Sequence, residues 1–157
     1  MTDTAAPESS ALDALTLLVH QQIDIAAPAE KAFAALLHQL GPGMVMPDGT
    51  SMKMVVEPRP GGRWFRDTSG VSGDIEAGHL WGFVQVIKPP KLIEFTGPMF
   101  MSYAAINHIQ FRLTEEDGKT VATLQHQALG VIDEEHRKGV TEGWLHMLQG
   151  VKQHAEQ

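Results

Sequence analysis

The chain contains no cysteine. That excludes disulfides, thiolate metal sites and cysteine nucleophiles. It fits a cytoplasmic location, which is the expectation, without requiring one. Basic clusters are scarce as well. The formal net charge is −7, and an acidic domain repels phosphate backbones, so nucleic acid is not an expected partner. Arg59, Arg63 and Arg66 come nearest to a basic patch, but Asp67 follows at once, and the three read as a solvated strand edge. No apolar run has the length a membrane span needs. The first residues carry Asp3, Glu8 and Asp13 where a secretory signal would have a basic start and an apolar run.

Catalytic signatures are missing too. Gly70-Val71-Ser72-Gly73 lacks the strand–turn–helix setting of a nucleophile elbow. Gly41, Gly43, Gly61, Gly62 and Gly73 match neither a phosphate loop nor a dinucleotide fingerprint. Glu115, Glu116 and Asp117 read as a solvated hairpin tip and not as paired catalytic carboxylates. The histidines of the last helical segment, His136, His146 and His154, lack the four-residue spacing of a helical metal motif. No catalytic residue, metal or cofactor is therefore expected.

What is present is enough chain for one domain: 157 residues can bury a core without staples. Residues 1–14, rich in Ala, Ser, Thr and Pro, read as a flexible tail, and 15–157 as a single domain. Leu15 to Ala26 reads as a strand. Pro28 stands where a first helical residue belongs, and Phe33, Leu36, Leu37 and Leu40 follow at helical spacing until Gly41-Pro42-Gly43 stops the helix. Strands are expected over 52–57, 63–68, 80–88, 92–96, 104–113 and 120–128. They are separated by turn signals such as Pro89-Pro90 and a hairpin loop over 115–118, with a glycine-punctuated link over 70–78. Short connections between consecutive strands mean antiparallel pairing. A helix follows from Glu134 to about His154, with Asp133 as its N-cap and acidic residues in its first turn.

That helix carries Gly139, Gly143 and Gly150 in its interior, where each costs roughly 1 kcal/mol against alanine. They form a stripe beside Val140, Trp144, Met147, Leu148 and Val151. Close packing on the sheet and a gap that admits a ligand both explain such a stripe. His126 shares a strand face with Ala122 and Leu124, so it is either a satisfied core histidine or a ligand or acid–base group. Asn107 shares the face of Ile109 and Phe111, where an amide could orient a ligand or tie down a strand end, whereas His108 should point away from the core. Trp64, Trp81, Phe83, Tyr103 and Trp144 are the large aromatics expected to border the interior. The faces of Trp64, Trp81 and Phe83 stay open, because one residue of register inverts them. Met44, Met46, Met52 and Met54, with Met99 and Met101, suit either a Met-lined cavity mouth or gap filling.

The order strand, short helix, six antiparallel strands and long C-terminal helix resembles the START-like, or helix-grip (SRPBCC, Bet v 1-like), superfamily. Within it the chain is similar to the family of the Aha1 C-terminal domain, the activator of Hsp90 ATPase. The resemblance runs over about 20 to 152. It includes Ile23 to Phe33 (IDIAAPAEKAF), Pro60-Gly61-Gly62-Arg63-Trp64, Gly82 to Leu92, Gly118 to His126, and Gly143-Trp144. It implies an α+β fold, a curved antiparallel sheet wrapped around a long C-terminal helix. It also implies a cavity between sheet and helix suited to apolar or aromatic molecules. Trp64, Trp81, Phe83, Tyr103, Asn107, His126, Val140, Trp144 and Met147 are the candidate ligand contacts. Three functions follow as expectations: a small-molecule binding protein, first; a cyclase or hydratase using His126 with Asn107 or Tyr103; and a protein-interaction module with an exposed apolar patch. In the co-chaperone this domain accompanies another, N-terminal one, whereas a short tail precedes it here, which counts against Hsp90 activation. A weak homodimer is the working expectation of assembly.

Overall fold

The computed structural model describes residues 11–69 and 77–157. The first ten residues of the expected tail, and 70–76 of the glycine-punctuated link, lie outside the described residues. Residues 11–14 form a helical turn. Seven strands follow the chain order: β1 (Thr16–Ile25), β2 (Met54–Val56), β3 (Arg63–Asp67), β4 (Gly78–Lys88), β5 (Leu92–Gly97), β6 (Ala105–Glu116) and β7 (Lys119–Gly130). Helix α1 (Ala29–Leu40) separates β1 from β2, and α2 (Glu134–Ala155) ends the fold. The strands form one sheet in the order β1-β7-β6-β5-β4-β3-β2, and every neighbouring pair is antiparallel.

Each strand buries one face. In β7 the residues Thr120, Ala122, Leu124, His126 and Ala128 are buried at every second position, as half-covered sheets require. The buried face packs on α2 through Val140, Trp144, Met147, Leu148, Val151 and Ala155. At about 1.5 Å per residue, the 22 residues of α2 are long enough to cross the domain. Asp133 caps α2 by accepting from the backbone N–H of Glu135 at 2.8 Å. Met44, Met54, Met99 and Met101 are buried in the core as packing material, whereas Met46 and Met52 are partly exposed.

Local structure departs from the sequence pattern at several points. Pro28 is the N-cap of α1 and not its first helical residue, with an extended backbone at ψ 160. Its side chain can accept no hydrogen bond, and Glu115 caps the helix in its place, the Oε1 accepting from the N–H of Ala29 at 2.5 Å. Glu115 and Glu116 therefore belong to β6, and the hairpin turn is Asp117-Gly118, both with positive φ. Such a two-residue turn matches the right-handed twist of the strands it joins.

The glycine stripe of α2 divides. A Cβ on Gly150 would fall 2.6 Å from the Gln39 side chain of α1, but Cβ atoms on Gly139 and Gly143 would meet open space. Gly150 lies where α1 meets α2, close to the point where His38 stacks on His154 at 4.3 Å. Neither close packing on the sheet nor a ligand gap accounts for Gly139 and Gly143, which are exposed to solvent. Alanine at either position is accordingly expected to stabilise the domain by up to about 1 kcal/mol. Urea denaturation of Gly143→Ala checks this, and a loss of stability would show that the bare helix face is needed.

Candidate functional site

The interior between sheet and α2 is built from aromatic rings. Trp64 on β3 meets Trp81 on β4 edge to face, with centroids 5.2 Å apart, and tilts over Phe95 on β5 at 4.5 Å. Phe95 meets Phe111, and Phe111 meets Trp144 of α2. Trp64 also donates its indole N–H to the carbonyl of Leu40 at 2.9 Å, which pins the end of α1 to the sheet. Val140 and Met147 are buried beside Trp144. Phe83 behaves differently: it is 42 % exposed and lies on the outer face with Thr96 and Arg63, its register partners. It does not border the interior. A bulge explains the change, because β4 puts Trp81 and Gly82 consecutively on the buried side where the register shifts.

His126, Asn107 and Trp144 come together in a closed polar chain inside this apolar shell. His126 and Asn107 are both fully buried. The Trp144 indole N–H donates to His126 Nδ1 at 2.9 Å, and His126 Nε2 lies 2.6 Å from Asn107 Oδ1. The Asn107 amide donates onward to the carbonyl of Pro98 at 3.1 Å and to the Met101 sulfur at 3.6 Å. An indole can only donate. Nδ1 must therefore be the acceptor, Nε2 carries the proton, and the direction of every bond in the chain follows. Burial holds the imidazole pKa down at about 4, against an ordinary 6.5. His126 is thus a neutral imidazole with both nitrogens committed. His108 points outward as expected and meets Glu94 at 3.3 Å.

Tyr103 is not part of that chain. Its hydroxyl lies 2.9 Å from His136 Nδ1 and accepts from the N–H of Asp133 at 3.1 Å, at the start of α2. Phe100 stands between His136, at 5.0 Å, and Trp81, at 5.6 Å. Phe100, Tyr103 and His136 are each partly exposed. A path of rings thus leads from the surface to Trp64 and Phe95 in the core. Two surface hollows lie elsewhere, flanking α1: one of about 610 Å³ beside Pro28, Pro90 and Arg112, one of about 350 Å³ beside Phe33, Leu37 and Pro58. The outer face of the sheet carries Ile106 paired with Leu129, and Leu18 diagonally across on β1, each more than half exposed. That is the kind of patch an interaction module calls for.

The arginines of β3 and its approach do not share one fate. Arg63 holds Glu57 at 2.9 Å, and Arg59 lies 3.7 Å from the same carboxylate, whose pKa these contacts lower to about 2, the Arg63 hydrogen bond foremost. Arg66 is not at a solvated edge: its Nε is buried and without a hydrogen-bond partner among the described residues. The signal lies in the spacing, since Trp64 and Arg66 alternate onto one face.

A curved antiparallel sheet closed by a long C-terminal helix defines the helix-grip, START-like class. The sequence matches the model of the Activator of Hsp90 ATPase homolog 1-like protein family over residues 26–156, and the chain belongs to that family. Among solved structures it is similar to protein CV1439 of Chromobacterium violaceum, at 21% identity and TM-score 0.63, with 91% of this chain and 99% of that one covered. It is also similar to the di-domain ARO/CYC protein StfQ of the steffimycin biosynthetic pathway, at 16% identity and TM-score 0.68. That alignment covers 97% of this chain and 54% of StfQ, so this chain spans about half of the di-domain protein. Ara h 8.0201 shares the fold at 12% identity and TM-score 0.63, over 89% of this chain and 97% of its own. No curated protein matches in sequence. None of the helices in the described residues is long and apolar enough to cross a membrane.

Proposed function

We propose that the protein binds a small apolar or aromatic molecule between the sheet and α2, admitted where Phe100, Tyr103 and His136 are open to solvent. The observation that carries this is the unbroken path of rings from that opening to Trp81, Trp64 and Phe95. Partly exposed rings cost little to displace and offer an entering planar molecule stacking partners on several sides. The likeness to ARO/CYC proteins of biosynthetic pathways supports a small-molecule role for the fold. His126 and Asn107 serve in this reading as a fixed polar floor. A cyclase or hydratase working through His126 is less well supported, because proton exchange with a ligand would require Asn107 or Trp144 to let go.

The test uses N-phenyl-1-naphthylamine, a neutral aromatic probe whose fluorescence rises on burial. Saturable binding at one site per chain is expected. Phe100→Ala removes one wall, worth about 1.5–3 kcal/mol of apolar contact, and should weaken binding roughly tenfold or more. Phe83→Ala, on the outer face, should leave the affinity unchanged. Equal effects of the two substitutions, or none from Phe100→Ala, would remove the site from the grip.

A further inference from the structure

We infer that the molecule held in the grip is an aromatic acid, and that Arg66 receives its anionic oxygens. This rests on the reading of the grip as a binding site. Arg66 pairs with Met54 on β2 and His79 on β4. Directly paired residues share a face, and Met54 is buried at 3 % exposure, so Arg66 is on the interior side. Along β3 it follows Trp64 on that side, and along β4 its partner His79 precedes Trp81. A guanidinium therefore stands next to the aromatic path.

Its Nε is buried and has no hydrogen-bond partner among the described residues. Buried polar atoms are nearly always paired, and the penalty for leaving one unpaired is greatest when the group is charged. Two carboxylates close to it in sequence are taken up elsewhere. Glu57 is held by Arg63 and Arg59. Asp67 accepts from the backbone N–H of Ser69 at 2.9 Å, and strand alternation turns it to the opposite face from Arg66. Although the chain carries a net charge of −7, no ion pair to Arg66 occurs among the described residues. A planar guanidinium presents parallel donors that match two oxygens of a carboxylate or sulfonate. The aromatic body of such a ligand would lie along Trp81 while its acid group completes Arg66.

The experiment compares 1-anilinonaphthalene-8-sulfonate with N-phenyl-1-naphthylamine, the same ring system without the sulfonate. The wild-type protein is expected to bind the sulfonate at least tenfold more tightly than the neutral probe. Arg66→Met should abolish that preference, with sulfonate affinity falling at least tenfold and neutral-probe affinity holding within a factor of two. An unchanged preference in Arg66→Met overturns the inference and leaves the binding site standing. Failure of the neutral probe to bind the wild-type protein removes the binding site itself, and this inference with it. Should Arg66→Met not fold, Arg66→Lys keeps the charge and loses the fork. Its preference should drop at least threefold, and no drop overturns the inference equally.

Discussion

Trp144→Ala should destabilise the domain by about 3–5 kcal/mol, the usual cost of emptying a buried Trp site. For a domain of this size that corresponds to a fall in Tm of roughly 6–20 °C. Two losses combine. Trp144 packs edge to face on Phe111 and on His126, at 5.9 and 5.7 Å between centroids. It also supplies the donor to His126 Nδ1. Trp144→Phe separates them, because it keeps most of the ring volume and discards the N–H. The orphaned acceptor alone should cost about 1–3 kcal/mol. Urea denaturation of both variants reads the split. Equal losses for Phe and Ala would place the whole effect in the hydrogen bond, and a loss under about 1 kcal/mol for Ala would mean the helix is held mainly by Leu148, Met147 and Val151.

The architecture is legible in the sequence because its punctuation is strong. Pro89-Pro90 stands at the β4–β5 turn, Asp117-Gly118 forms the β6–β7 turn, and Asp133 starts α2, each by local chemistry that needs no tertiary help. Even so, β6 and β7 extend further than their patterns suggest, since the hairpin closes on two residues and not four. The interior polar pair is partly legible: alternation places Asn107 with Ile109 and Phe111, and His126 with Ala122 and Leu124. Register then makes Ile109 face His126 and Asn107 face Ala128. That the indole of Trp144 closes the chain is not legible, because only the docking of α2 decides it. The faces of β4 resist for a more specific reason. Register shifts at Trp64/Phe65 and between Val84 and Val86 interrupt the period of two, and a period of two is the whole of the signal. Phe83, whose face the pattern leaves open, consequently falls on the outer side and not among the interior aromatics. Arg66, expected at a solvated edge, shares a face with its core strand partner Met54.

Stability should fall as the pH drops from about 6.5 to about 4, by on the order of 3 kcal/mol, through His126 alone. The folded protein holds this imidazole neutral down to about 4, whereas the unfolded chain takes up its proton near 6.5. Between those values the unfolded state binds more protons, so acid favours unfolding. Above 6.5 both states are neutral and the contribution is complete. Below about 4 both are protonated and the loss has reached its full size. Burial is the cause, because it penalises the charged ring, and a clash of donors accompanies it. A second ring proton would sit on Nδ1 and point at the Trp144 N–H. Among the described residues no charged group offsets it: Asn107 faces it from β6 together with the apolar strand partners Ile109 on β6 and Val19 on β1, and Trp144 faces it from α2. His126→Gln supplies an amide that could accept from the indole and donate to Asn107 without titrating. Urea midpoints at about pH 7.5, 6.5, 5.5 and 4.5 should therefore fall more steeply for the wild-type protein than for His126→Gln. Carboxylates with depressed pKa values, among them Asp48, Glu57, Asp67, Glu94 and Glu156, lose their contributions at lower pH and do so in both proteins. The difference between the two curves then isolates His126, and parallel curves would show that the buried imidazole accepts its second proton without cost.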